Sequence, residues 1–306
     1  MLDIREGSSL YYSLLWTAPA ARQRFIERLH LVQTLGTTLE EVQEPQVAER
    51  KIHWWHEELQ RMFEGTARHP ATQAVQATTT GRQQALEACL GVLTAASTVR
   101  FTPPATEADS NSLLEQGFSA RLALLAHALS DESAELEPQN QSTLLARALG
   151  KHEQLSRLPT LLHRGQPVFS QELYQRFDLQ PGDLAARIRT QKDTQPHDTT
   201  PDDETTDAPT APISALDGIA VVVDKPQRQS LLNAAIADAH GDIALALKDA
   251  DCRQRYRHTA LLPLWRLSIL RERQLSLWTK HPPDLLRERS TLTPLHKLFW
   301  AWRHRR

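Results

Sequence analysis

Apolar side chains recur at helical spacing along most of this 306-residue chain. The clearest stripe has intervals of three to five residues and predicts one amphipathic helix over about 44–64. It consists of Val47, Ile52, Trp55, Leu59 and Met62. The same pattern predicts helices near 82–98, 112–129, 142–162, 227–248, 257–280 and 293–303. The one β-branched run, 219–223, is too short to form a β-sheet. We therefore predict an all-α fold.

Composition excludes several classes of protein. The chain has only 11 glycines, whereas dinucleotide-binding and phosphate-binding loops need glycine at strained backbone positions. Two cysteines, Cys89 and Cys252, cannot build a disulfide framework, which favours a reducing compartment. No apolar stretch approaches the roughly 18 residues that span a bilayer. The apolar run 10–21 is preceded by two acidic residues and one basic residue, whereas a signal peptide has a positively charged start. We therefore predict that this run is the first segment of the fold. We expect a cytoplasmic protein.

Charge is unevenly distributed. Residues 251–306 contain 13 Lys/Arg and 4 Asp/Glu, although the whole chain has a net charge of −2. Most of these arginines are expected to lie on solvated helix faces or to contact the protein's own acidic half. The aromatic and basic segment 299–306 favours a second possibility, peripheral contact with an anionic membrane. Nothing in the pattern indicates a nucleic-acid partner.

Segment 190–213 has a different composition from the rest. It contains four prolines, six acids and one lysine, with almost no bulky apolar residue. Such a segment cannot bury enough surface to offset its ordering entropy, and we predict a disordered insertion. Helices on either side can still pack together. The prediction is one domain, 1–306, with this interruption.

Conventional catalytic motifs are absent from the sequence. His53 and His56 stand three residues apart and could share a metal, but neither zinc-protease order of His and Glu occurs. We predict that both lie on a solvated helix flank. There is no Gly-x-Ser-x-Gly elbow, and the glycines stand too far apart to form a phosphate loop.

One group of motifs does point to a family. The string 51–59 reads KIHWWHEEL, and it is followed by Phe63-Glu64-Gly65 and His69-Pro70. Together with further motifs in order along the chain, it resembles the squalene/phytoene synthase family over nearly everything except the acidic insertion. These motifs are Ser9-Leu10-Tyr11-Tyr12 with Arg22, Leu149-Gly150, Gln154-Leu155, Val168-Phe169, Phe177-Asp178-Leu179 and the segment 289–298.

The resemblance implies an isoprenoid-synthase-type helical bundle around a central cavity. Enzymes of the family condense two prenyl diphosphates head to head, in isoprenoid biosynthesis. Two aspartate-rich motifs on facing helices hold Mg²⁺, which grips the diphosphates. Carboxylates suit this role because Mg²⁺ prefers hard oxygen ligands and neutralises the charge that develops on the leaving group.

This sequence departs from that pattern at both motifs. The first motif falls on Gly36, Thr37 and Glu40, which leaves one carboxylate. The second falls on Leu161 and Gly165, with Thr160 before them, which leaves none. Glu40, with Glu41 or Glu44, is expected to hold at most one loosely bound cation. We therefore expect no cofactor, with Mg²⁺ needed only if the chain is active.

Pro159 stands where the helix that carries the second motif should continue. A proline inside a helix lacks the amide hydrogen and clashes with the preceding turn. We therefore predict that this helix breaks or kinks there.

Loss of both motifs also occurs in a non-catalytic branch of the family, the mitochondrial respiratory complex I assembly factor and its bacterial relatives. Segments 31–35 and 158–163 resemble that branch. This resemblance favours a pseudoenzyme that binds a lipid, an isoprenoid or a partner protein. The alternative is an active prenyltransferase with altered metal ligands, which would use Glu40, Glu57, Glu58 and Arg22.

The resemblance also assigns positions around the former diphosphate site. Ser9, Tyr12 and Arg22 are placed at its diphosphate end. The remaining positions of the expected cavity region are Gln33, Glu40, Trp54, Trp55, Glu58 and Gln154. Large aromatics on helices usually fill cores, and core packing is therefore the expected role of both tryptophans.

Overall fold

The computed structural model describes residues 4–75, 82–130, 142–184, 226–257, 259–286 and 290–305. Within these ranges the regular structure is helical, with no strand, and the predicted all-α class is confirmed. The acidic insertion 190–213 and the run 219–223 lie outside the described residues. The helices are α1 Ser9–Leu14, α2 Pro19–Thr37, α3 Pro45–Glu64, α4 Pro70–Gln73, α5 Arg82–Phe101, α6 Glu107–Leu129, α7 Thr143–His163, α8 Gln171–Arg176, α9 Pro226–Lys248, α10 Ala250–Arg257, α11 Leu262–Lys280 and α12 Pro294–Arg303.

Helix boundaries follow from local chemistry. α3 begins at Pro45, where a missing amide hydrogen costs nothing, and ends at Gly65, whose φ of +82° suits a residue without a Cβ. α6 begins with a capping box between Thr106 and Asp109. The amphipathic stripe therefore forms the helix predicted for it, within one residue at each end.

The helices pack around a central row. α6 lies between α5 and α7, α7 also packs on α9, and α9 packs on α11. α2 covers α5 and α6, while α1 and α12 pack on α11. One large cluster of buried side chains joins α7, α8, α9 and α11, and another joins α2, α3, α5 and α6. Residues of α2, α5, α6 and α7 line the cavity described below.

Two glycines allow α5, α6 and α7 to approach closely. A Cβ added at Gly117 in α6 would lie 2.9 Å from the Cβ of Ala95 in α5. A Cβ added at Gly150 in α7 would lie 2.9 Å from Cδ2 of Phe118 in α6. Real Cβ atoms do not approach this closely, so larger residues would push the helices apart.

α7 passes through Pro159 without ending there, so the helix does not break at this proline; the alternative, a kink, stays a prediction. Leu158 and Leu162 on either side are buried in the α7–α9–α11 cluster. Burial of these leucines stabilises the helical path against the local cost of proline, because tertiary packing supplies most of the stability of a helix in a protein. The helix then ends at His163.

Within the described ranges, no helix combines the length and the apolarity needed to cross a bilayer. Cys89 and Cys252 are both buried and unpaired with each other. Burial raises the pKa of the Cys89 thiol to about 12, so this thiol stays protonated at neutral pH.

The glycine contacts predict opposite effects for two substitutions. Gly150→Ala should lower the free energy of unfolding by about 1–3 kcal/mol, because the new methyl group collides with Phe118. At Gly241 in α9, an added Cβ would have no atom within 4 Å. Gly241→Ala should therefore raise the free energy of unfolding by about 0.5–1 kcal/mol, because alanine has the higher helix propensity. Urea unfolding followed by circular dichroism measures both, and equal effects would contradict the close approach of α6 and α7.

Candidate functional site

Glu40 lies just beyond the end of α2, in a turn that follows Thr37. Its side chain is buried, with a relative exposure of 5%. Gly36 and Glu40 therefore do not share one helical face, as two ligands of an aspartate-rich motif would. Thr37 is exposed and its hydroxyl donates to the carbonyl of Gln33, 2.8 Å away.

Two arginines from the α7 side neutralise Glu40. Nη2 of Arg157 donates to both carboxylate oxygens, at 2.6 and 2.8 Å. Nη1 of Arg164 contacts the same carboxylate, and its Nη2 lies 3.2 Å from Oε1 of Glu41. A carboxylate buried away from water needs such partners, because an unpaired buried charge is strongly destabilising.

The ion pairs continue across the cavity. Arg157 also lies 3.6 Å from Oε1 of Glu153, which accepts a hydrogen bond from Arg121 at 3.0 Å. The guanidinium of Arg121 packs against Gly36, where an added Cβ would lie 3.2 Å from its Cζ and closer still to Nη2. A side chain at position 36 would therefore displace Arg121. We call this set the ion network; it comprises Glu40, Glu41, Arg121, Glu153, Arg157 and Arg164, and it has no net charge.

The positions assigned to the second motif carry no carboxylate and lie at the end of α7. Leu161 lines the cavity, whereas Thr160 faces a different pocket between α7 and α11. Gly165 follows the helix with a φ of +67°, and Gln166 N–H donates to the Leu161 carbonyl at 3.0 Å. This is a glycine-type helix end. A carboxylate residue at position 165 would be strained, because L-residues rarely adopt this conformation.

The cavity beside the ion network is small. Its volume is about 110 Å³. Its lining includes Gly36, Glu40, Gln154, Arg157 and Leu161, so positions assigned to both motifs border one space. Its apolar wall comes from α5 and α6. Typical ligand pockets occupy about 300–1,000 Å³, and a cavity of about 150 Å³ holds a single benzene ring.

Magnesium does not fit the residues present here. A Mg²⁺ site needs several oxygen ligands in octahedral geometry. Glu40 is the one carboxylate at the motif positions, and both its oxygens are engaged by arginines. Across the ranges that the structure describes, no group of three or more His, Cys, Asp or Glu side chains is placed to hold a metal.

Acids recruited from elsewhere do not restore such a site. Asp238 and Asp242 lie four residues apart on α9, but Lys151 Nζ bridges them at 2.5 and 2.7 Å. Arg147 also binds Asp242, with Nε 2.8 Å from Oδ2. Burial would raise the pKa of Asp242, but hydrogen bonds from Arg147 and Lys151 outweigh it and lower that pKa. This second cluster is an ion-paired link between α7 and α9.

The N-terminal residues of the expected site lie elsewhere. The cavity beside Glu40 is not lined by Ser9, Tyr12 or Arg22. Ser9 is buried in α1, and the rings of Tyr11 and Tyr12 meet edge to face at 5.4 Å. Arg22 lies over the Tyr11 ring, 5.7 Å from its centroid. Gln33 is exposed on α2.

The tryptophan pair divides between core and surface. Trp55 is buried, and its Nε1 donates to Thr38 Oγ1 at 2.7 Å. Trp54 is 41% exposed, so the expectation that both fill the core is wrong for Trp54. The physical reason is helical spacing, because adjacent residues on α3 point about 100° apart and one stripe cannot include both. His53 on the outer side is also exposed and pairs with Glu57 at 3.2 Å.

Glu58 is fully buried and holds the α3–α4 turn together. Its Oε1 accepts from the amides of Arg68 and His69 at 2.8 Å each and from Thr72 Oγ1 at 2.5 Å. Its Oε2 accepts from Arg61 Nε at 3.0 Å. Burial would raise the pKa of Glu58, but these hydrogen bonds outweigh it and lower the pKa to about 2. The hydrogen bonds of Glu58 thus connect the WWHEE motif directly to the His-Pro motif.

The alternative catalytic set is not brought together. Glu58 is enclosed by its own turn, Glu57 is at the surface of α3, and Arg22 packs on Tyr11. Glu40 is paired with two arginines, and Glu153, which lines the same cavity, is itself paired with Arg121 and Arg157. Sequence reasoning missed Arg157 and Arg164. Their spacing with Leu161, at i, i+4 and i+7, places all three on one face of α7 and could have revealed them.

The Glu58 contacts predict an acid-dependent loss of stability. Glu58→Gln should lower the free energy of unfolding by about 2–4 kcal/mol at pH 7, because an amide cannot accept from all four donors. A carboxylate whose folded pKa is lowered stabilises the protein above its unfolded pKa, near 4.5, and loses that effect as pH falls towards about 2. The difference from wild type should therefore shrink over this range.

Glu57→Gln is the matched control for this prediction. Its carboxylate is half exposed and its loss should change the free energy of unfolding by less than about 0.5 kcal/mol. Urea unfolding at several pH values measures both variants. Equal stabilities of the two would contradict the role assigned to Glu58.

Comparison with known proteins gives a family match over most of the chain. The squalene/phytoene synthase family model matches residues 4–266. No curated protein matches the chain. The matched range contains the α3–α4 motifs, both former motif positions and the cavity between them, and the all-α bundle agrees with it. The chain therefore belongs to the squalene/phytoene synthase family.

Proposed function

We propose that this chain is a non-catalytic member of its family that works by binding, in the manner of an assembly factor. The observation that carries the proposal is the engagement of Glu40 by Arg157 and Arg164. In a prenyltransferase this space has to hold metal ions and diphosphate. Here it is filled by charges that already neutralise one another.

Chemistry explains why the ion network disfavours prenyl transfer. Diphosphate leaves only when its developing negative charge is stabilised, which the family achieves with Mg²⁺. Arginine also binds phosphate oxygens well. However, the three arginines of the ion network are already matched by three glutamates, and one of these, Glu40, is buried. A diphosphate that took Arg157 and Arg164 would leave the buried Glu40 carboxylate without these cations, which is strongly unfavourable.

Cavity size favours a partner protein over an isoprenoid as the bound species. At about 110 Å³, the space beside Glu40 is smaller than one that holds a benzene ring. A farnesyl chain has fifteen carbons in its backbone and branches. Binding it beside Glu40 would require α5, α6 and α7 to separate at Gly117 and Gly150, where they are in close contact. The pocket between α7 and α11 is larger, about 460 Å³, but most of its lining side chains are polar, which suits an isoprenoid poorly.

Incubation of the purified protein with farnesyl or geranylgeranyl diphosphate and Mg²⁺ tests the proposal. We expect no release of pyrophosphate and no head-to-head product above the buffer background, while an active family member assayed alongside gives both. Product formation would overturn the proposal and support the alternative, a prenyltransferase with altered ligands.

Mass spectrometry of molecules that co-purify with the native protein tests the nature of the ligand. We expect partner proteins and no stoichiometric prenyl compound. A prenyl compound at one equivalent would contradict a closed interior but not the loss of catalysis, so this result separates the two parts of the proposal.

A further inference from the structure

α12 departs from the usual placement of apolar and charged side chains at several positions. A surface helix normally buries its apolar side chains and exposes its charges. Here Lys297 is buried and its Nζ donates to the carbonyl of Gly7 at 2.8 Å. Ala301 is the small residue beside it on the buried side. Trp300 is half-buried and packs against a core cluster that includes Trp265 and Ile269 of α11. A lysine and a tryptophan therefore attach this helix to the body of the protein.

The exposed side of α12 is apolar. We call it the α12 outer face; it consists of Leu295, Leu298, Phe299 and Trp302. Leu295 is 78% exposed and Trp302 is 50% exposed. The spacing i, i+3, i+4 and i+7 places all four on one side of the helix. Single exposed apolar residues are common, whereas a contiguous group of large ones marks an interaction site.

Trp16 lies near the C-terminal end of α12. The guanidinium of Arg266 donates to the carbonyls of Ser13, His304 and Arg305, at 3.1, 3.1 and 2.9 Å. It also lies 5.3 Å from the ring centroid of Trp16, which is exposed. Arg266 therefore fixes the end of α1 beside the end of α12 and brings a second exposed tryptophan near that end.

Two exposed arginines lie at the C-terminal end of this surface. Arg303 and Arg305 are exposed, and Arg305 lies over the Trp302 ring at 5.3 Å. Residues 251–306 contain 13 bases and 4 acids. Arg5 and Glu6, exposed next to Gly7, cancel each other's charge. The surface thus combines tryptophan, phenylalanine and leucine with arginines, which is typical of segments that lie at a membrane–water interface.

We propose that the α12 outer face, with Trp16, docks the protein onto an anionic lipid bilayer. A helix of ten residues is about 15 Å long, too short to span a bilayer but sufficient to lie in its interface. A patch of this length is also small beside the roughly 800 Å² that each partner buries in a stable dimer. The proposal concerns a surface away from Glu40 and does not depend on the loss of catalysis.

Flotation with lipid vesicles tests the docking. The full-length protein should float with phosphatidylcholine vesicles that contain about a third phosphatidylserine, and its binding should weaken as salt is raised. The double variant Phe299→Ser/Trp302→Ser should bind at least about tenfold more weakly. Arg303→Gln and Arg305→Gln should each weaken binding roughly fivefold on anionic vesicles.

Leu245→Ser provides the matched control. Leu245 is an isolated exposed residue on α9, with 58% exposure, and its substitution should leave binding unchanged. Thermal unfolding by circular dichroism verifies that each variant is folded. Failure of the folded wild type to float with anionic vesicles would overturn the proposal. Equal vesicle binding by the wild type and the double variant would also overturn it. A third contrary result would be a wild-type dimer that does not bind vesicles and that the double variant no longer forms.

Discussion

The ion pair between Glu40 and the arginines of α7 is the constraint on which the interior of this protein depends. One buried carboxylate needs cations nearby, and Arg157 and Arg164 supply them from the helix that faces it across the cavity. The consequence is chemical as well as structural. The group of side chains around Glu40 has no net charge, whereas a site that collects Mg²⁺ needs excess negative charge.

The remaining interior is consistent with this change. Arg121 packs where a side chain at position 36 would stand, and Gly165 ends the helix where the second motif would continue. Close contacts at Gly117 and Gly150 hold α5, α6 and α7 together. Restoring a single aspartate would therefore not recreate a metal site, because the backbone and the neighbouring arginines also differ from what such a site needs.

The sequence was sufficient to predict the helices and the family, because apolar periodicity and the WWHEE motif are local features. It did not predict how charges pair between segments distant along the chain. Arg157 and Glu40 are 117 positions apart, and only the fold brings them together. The path of α7 through Pro159 was missed for a related reason, since tertiary burial of Leu158 and Leu162 overrides a local preference. The outward apolar side of α12 likewise required the structure, because periodicity alone does not say which side is buried.

The most direct measurement of the central claim is a double-mutant cycle on the free energy of unfolding, using Glu40→Gln, Arg157→Met and the double variant, with and without millimolar Mg²⁺. The account predicts a coupling energy of about 1–3 kcal/mol between the two residues, unchanged by Mg²⁺. A coupling near zero, or stabilisation of the wild type by Mg²⁺ that Glu40→Gln removes, would contradict it.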